Sequence, residues 1–126
     1  MPTLLLVDDS RTMREVFKVY LMGKDFELLE ASTVRRAQHL LELMPVDIVV
    51  VDVNLPEVDG LTFVRSLRAH ENAKLRDLPV IVITSDKARD ARDKASEAGA
   101  DAFLHKPLDS ERVLSTIESL LESRAQ

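Results

Sequence analysis

Four branched apolar residues, Ile48-Val49-Val50-Val51, run straight into a carboxylate, Asp52, and then into the turn-rich stretch Val53-Asn54-Leu55-Pro56-Glu57-Val58-Asp59-Gly60. A run this short and this apolar reads as a strand covered on both faces, as in a parallel sheet between two layers of helices. The pattern recurs twice. Leu4-Leu5-Leu6-Val7 ends in Asp8-Asp9, and Pro79-Val80-Ile81-Val82-Ile83 ends in Thr84. Ligands of open α/β sheets collect beyond the carboxyl ends of the strands, so the polar residues closing these runs are the first candidates for a site.

Helical periodicity fills the intervals. Ser10 is placed to cap a helix carrying Met13, Val16, Phe17, Tyr20 and Leu21, with Gly23 as its stop. Ser32 or Thr33 opens a second helix through Val34, Ala37, Leu40 and Leu41, closed by Pro45. A third carries Leu61, Val64 and Leu67, and the polar stretch from His70 to Asp77 reads as a surface loop. The next helix, from about Lys87 to Ala98, has an inward stripe of alanines only, Ala88, Ala91, Ala95 and Ala98, and buries little area. Asp109 caps a last helix with Val113, Leu114, Ile117, Leu120 and Leu121 inward. The remaining strands, Phe26–Ala31 and Asp101–Lys106, are mixed in character and suit sheet edges. Five strand–helix alternations predict an α/β fold: a doubly wound, five-stranded parallel sheet in the order 2-1-3-4-5, with five helices on both faces.

Composition bounds the function. A chain of 126 residues, 45% hydrophobic and 31% charged, reads as one domain over 1–126. A net charge of −5 argues against direct nucleic-acid binding. There is no cysteine, hence neither disulfide nor thiolate metal site. No segment is long and apolar enough for membrane insertion, so the expected location is cytoplasmic.

The predicted strand order sets Asp8, Asp9 and Asp52 side by side. Converging carboxylates repel, and a hard divalent cation such as Mg²⁺ relieves the conflict while leaving coordination positions for phosphate oxygens. Thr84 and Lys106, at neighbouring strand ends, offer a hydroxyl and a compact cation to the same anion. Asp52 is then a candidate nucleophile for phosphoryl transfer.

Together, Asp8-Asp9, Asp52 with Asn54-Leu55-Pro56 and Asp59-Gly60, Thr84-Ser85 and Lys106-Pro107 resemble the receiver domain of bacterial response regulators. The likeness spans the whole chain with every motif in order, and implies the flavodoxin-like, CheY-like fold. It implies that Asp52 accepts a phosphoryl group from a sensor histidine kinase or a histidine phosphotransfer protein. Asp9, Asp8, Asp52 and the backbone carbonyl of Asn54 would hold Mg²⁺, with Mn²⁺ as a substitute. Lys106 would pair with the phosphoryl group across a cis bond to Pro107. Thr84 and Phe103 would form the switch pair, and Asn54 and Asp86 would tune phosphate lifetime. The same likeness implies autodephosphorylation rather than turnover of outside substrates, and a monomer or weak phosphorylation-dependent dimer. A downstream protein target would meet the face made by the helix after Thr84, the Phe103 strand and the last helix. A stand-alone member, in chemotaxis or a phosphorelay, is the expected setting.

Several positions depart from the common pattern. Phe103 lacks the hydroxyl of a tyrosine, Ser85 is larger than the alanine often found there, and Leu108 replaces a frequent phenylalanine. Taken singly, each motif residue has a plainer role: Asp52 as a turn or cap residue, Asp9 as a first-turn charge, Lys106 as an edge lysine, Phe103 as core. His39, His70 and His105 lack metal-ligand spacing. Two rival functions are an aspartate-nucleophile phosphatase and a pseudo-receiver that binds without taking phosphate. Asn54 stands where the phosphatase needs its second acid, and none of the acids, hydroxyl or lysine that pseudo-receivers lose is missing.

Overall fold

The computed structural model describes residues 1–85 and 89–125. Its strands are β1 (Thr3–Val7), β2 (Glu27–Ala31), β3 (Ile48–Asp52), β4 (Val80–Thr84) and β5 (Ala102–His105). All pair in parallel, in the order β2-β1-β3-β4-β5. The three apolar runs occupy the three central positions and every one of their strand residues is buried. Partly exposed β2 and β5 form the edges, as their mixed composition requires.

The register aligns side chains of one parity across the sheet, and each parity finds its own helices. Leu5, Val7, Val49, Val51, Val80 and Val82 face α2 (Val34–Leu43), α3 (Gly60–Arg68) and α5 (Ala91–Ala98). Leu4, Leu6, Ile48, Val50, Ile81 and Ile83 face α1 (Arg11–Leu21) and α6 (Ser110–Ala125). Ser10 and Thr33 cap α1 and α2 by accepting from the Met13 and Arg36 N–H groups. Gly23, just beyond α1, adopts a φ of 77°, where a side chain would be strained.

Two details differ from the sequence-based expectation. The chain has six helices among the described residues, because the stretch expected as loop holds one turn, α4 (Ala73–Arg76). Asn72 makes it, its side chain accepting from the Lys74 N–H at 2.9 Å, and Leu75 packs partly against the core. A single turn is too short to register as periodicity. The alanine-striped helix begins at Ala91 rather than near Lys87; Lys87 and Ala88 lie outside the described residues. Within it only Ala95 and Ala98 are buried. Its far end is fastened by Arg68, whose guanidinium donates to the carbonyls of Gly99, Arg76 and Leu78 and to the Asp101 carboxylate, all within 2.9 Å.

Candidate functional site

The carboxyl ends of β1, β3, β4 and β5 open on one side of the sheet. Asp52 is the last residue of β3 and Thr84 the last of β4; Asp8 and Lys106 stand one residue past β1 and β5. Lys106 reaches across the crevice. Its Nζ donates to Asp52 Oδ2 at 2.7 Å and lies 3.6 Å from Asp8 Oδ2. Asp52 Oδ1 accepts from the Asn54 N–H at 2.9 Å, so both oxygens of this carboxylate are held. Asp8 Oδ1 accepts from the Ser10 N–H, whereas Asp8 Oδ2 is buried without a hydrogen bond among the described residues. Asp9 is exposed at the rim, and oxygens of Asp8, Asp9 and Asp52 come within 4.8 Å of one another.

Electrostatics follow from this crowding. Burial, then the neighbouring charges of Asp52 and Asp9, push the Asp8 carboxyl above its ordinary 3.8 against the pull of the Ser10 hydrogen bond and Lys106. For Lys106, burial alone would lower the pKa; the hydrogen bond to Asp52 and the charges of Asp8 and Asp52 outweigh it and raise the ammonium above 10.5. Among the described residues the set is three acids against one cation, and one carboxylate oxygen inside it has no hydrogen bond. Such an all-oxygen cluster fits a hard divalent cation. The three histidines are exposed and take no part in it.

The loop after Asp52 is shaped by Gly60. Its N–H donates to the Val53 carbonyl at 2.9 Å, and a Cβ there would collide with the backbone carbonyl of Asp52 itself. Only glycine lets α3 start this close to the end of β3. Asp59 caps α3 by accepting from the Leu61 N–H at 2.8 Å. On the other side, the Lys106–Pro107 peptide is cis, and the Tyr20 hydroxyl donates to the Leu108 carbonyl at 3.1 Å. That bond ties the loop carrying Lys106 to α1. Phe103 is half-buried on β5, with the Arg92 guanidinium 5.1 Å from its ring centroid. Thr84 is fully buried and Asn54 exposed; Asp86 lies outside the described residues. The contacts of Tyr20, Arg92 and Arg14, which donates to the Asp8 carbonyl at 2.8 Å, escaped sequence reasoning, since nothing in local spacing marks a partner elsewhere in the chain.

Residues 4–118 match the response regulator receiver domain family. The chain belongs to it. As a receiver, it is a signalling domain of two-component systems. It is 33% identical over 120 residues to the response regulator Rre1 of Synechocystis, covering 94% of this receiver and 51% of that protein. Like structures include the signal receiver domain of a signal transduction histidine kinase from Syntrophus aciditrophicus, 30% identical with a TM-score of 0.88 and 98% and 92% of the two chains covered. Another is the chemotaxis protein CheY4 of Vibrio cholerae, 26% identical with a TM-score of 0.86 and 95% and 98% covered. The receiver spans about half the length of the curated relatives it matches. No helix among the described residues is long and apolar enough to cross a membrane.

Proposed function

We propose that this receiver takes a phosphoryl group onto Asp52 from the phosphohistidine of a sensor kinase or phosphotransfer protein. One observation supports the reading: Lys106, just past β5, donates to buried Asp52 at the end of β3 and lies beside buried Asp8 just past β1, while buried Thr84 closes the adjacent strand β4. An Asp52 oxygen attacks phosphorus, a P–O bond forms, the P–N bond breaks, and the imidazole nitrogen keeps the electron pair. Lys106, already on Asp52 Oδ2, is within reach to neutralise the incoming oxygens, and Thr84 stands at the adjacent strand end. Asp8, Asp9, Asp52 and the Asn54 carbonyl are the candidate ligands for Mg²⁺, or Mn²⁺ in its place, which when bound would supply positive charge for the phosphoryl oxygens. Attack of water on the phosphorus later returns phosphate and the free carboxylate, with Asn54, at the mouth, and Asp86 as the positions tuning that rate.

The readout runs from Thr84 to Phe103 and α5. The partner face is α5-β5-α6, where a concavity of about 220 Å³ is lined by Arg92, Phe103, Pro107, Leu108 and Arg112. A chemotaxis or phosphorelay partner in the cytoplasm fits this scheme. Incubation with Mg²⁺ and acetyl phosphate is expected to add one base-labile phosphoryl group per chain, absent in Asp52→Asn. The absence of label in the parent protein would favour the pseudo-receiver instead. Hydrogen exchange over α5 should change with a phosphoryl mimic; unchanged protection would sink the proposed readout.

A further inference from the structure

Arg14 lies on the second turn of α1, outside the crevice, yet its contacts point into the acid loop. Its Nη1 donates to the backbone carbonyl of Asp8 at 2.8 Å, and its Nε pairs with Glu30 on β2 at 3.2 Å. The Asp8 N–H meanwhile donates to the Ala31 carbonyl, one residue along β2, at 3.0 Å. Both main-chain groups of Asp8 are therefore held, one by the edge strand and one by a guanidinium that the edge strand orients. Asp8 is where β1 leaves the sheet, and a carbonyl there needs a partner or water. Fixing it fixes the peptide between Asp8 and Asp9, and so the direction in which the chain presents the exposed Asp9 carboxylate beside the buried one.

From these contacts we propose that Arg14, oriented by Glu30, is a positioning residue for the divalent-cation site. It acts through the Asp8 carbonyl and touches neither the metal nor the phosphoryl group. Lys18 pairs with the other Glu30 oxygen at 3.1 Å and with Glu15 at 2.9 Å, so Glu30 is itself held between two cations. The planar fork of Arg14 spans the carbonyl and the carboxylate at once; a lysine ammonium offers a single point of charge. Groups that orient metal ligands typically contribute 10–100-fold to affinity when removed.

The inference rests on the functional reading above, and the test separates the two. Mg²⁺ is titrated calorimetrically into the full chain and into Arg14→Gln, Arg14→Lys and Glu30→Gln. Arg14→Gln is expected to weaken Mg²⁺ roughly 10-fold, with Arg14→Lys failing to restore it and Glu30→Gln giving a smaller loss of the same sign. Amide resonances of Asp8 to Ser10 should move in the metal-free variant. Wild-type affinity in a destabilised but folded Arg14→Gln would overturn the proposal and leave Arg14 a fold residue. Should Arg14→Gln fail to fold, Glu30→Gln decides on the same criterion. A parent chain that takes up no Mg²⁺ would instead refute the metal-site reading, and this inference with it.

Discussion

The acid cluster is built at a cost, and Asp8→Asn measures it. Among the described residues, Asp8 has no side-chain exposure, one oxygen without a hydrogen bond, and two further carboxylates within 4.8 Å. Its negative charge is opposed by burial and by the charges of Asp52 and Asp9, more than the Ser10 N–H and Lys106 offset. Solvent at the crevice mouth screens part of the repulsion, which places the gain from Asp8→Asn at about 1 kcal/mol, or roughly 3–5 °C in Tm for a domain of this size. Asparagine has the same shape and keeps an oxygen for the Ser10 N–H, so no cavity opens, and the lost attraction of Lys106, 3.6 Å from Asp8 Oδ2, sets the upper limit of the gain. The variant should therefore be more stable than the parent at pH 7 in EDTA.

Two further readings of the same melts fix the cause. Because the folded pKa of Asp8 is raised, the stability belonging to its protonated form is complete below 3.8 and is lost as pH climbs through the folded value. The advantage of Asp8→Asn should thus vanish below about pH 3.8 and grow to a plateau at higher pH. Mg²⁺ works the other way: at ten times Kd it stabilises the parent by about 1.4 kcal/mol and the variant by less, closing or reversing the gap. Urea melts at pH 3.5 and pH 7, with EDTA or Mg²⁺, give all the values. A variant less stable than the parent in EDTA at pH 7, or one gaining as much from Mg²⁺, would refute the electrostatic account.

Other substitutions test the neighbours. Lys106→Ala removes the cation that pairs with Asp8 and Asp52 among the described residues, so it should destabilise the metal-free chain by about 1–3 kcal/mol and gain more than the parent from Mg²⁺, both read from the same melts. With its folded pKa above 10.5, the Lys106 contribution is complete below that value and is lost as pH rises past the folded pKa, so the parent and Lys106→Ala should converge in strong alkali. Gly60→Ala drives a methyl into the Asp52 carbonyl; a loss of about 1–3 kcal/mol in urea melts is expected, together with shifted Asp52 and Val53 amide resonances, and an unperturbed spectrum would count against the close approach.

The sheet was legible because its signal is local. A four-residue apolar run declares a central strand by itself, and Asp52, Thr84, Asp8 and Lys106 sit at or just past strand ends, so strand order alone gathers them. What stayed hidden depends on distance in sequence. Tyr20 meets Leu108, Arg68 meets Gly99 and Asp101, and Arg92 covers Phe103, pairings that no periodicity encodes. The one-turn α4 was missed for the opposite reason, since one asparagine cap outweighs a segment too short to show a face. Gly60 was recognisable as part of a motif, but its physical reason, the Asp52 carbonyl against its α-carbon, needed coordinates.

The same contrast bears on how a signal could leave the crevice. α2 buries four residues and α3 five, whereas α5 buries two alanines. At about 25 cal/mol per Å² of apolar surface, alanines hold a helix far less firmly than leucine, valine or phenylalanine. α5 is nevertheless pinned at its far end, where Arg68 grips the Gly99 carbonyl and Asp101 and where Gly99 closes the helix at a φ of 110°. Its start is unlike its end: Asp90 makes no side-chain cap hydrogen bond. A helix fixed at one end and lightly packed along its length pivots more readily than it slides. On the proposed readout, a change at Thr84 is expected to reach the start of α5, and Arg92, which lies in the first turn over Phe103, before its pinned end.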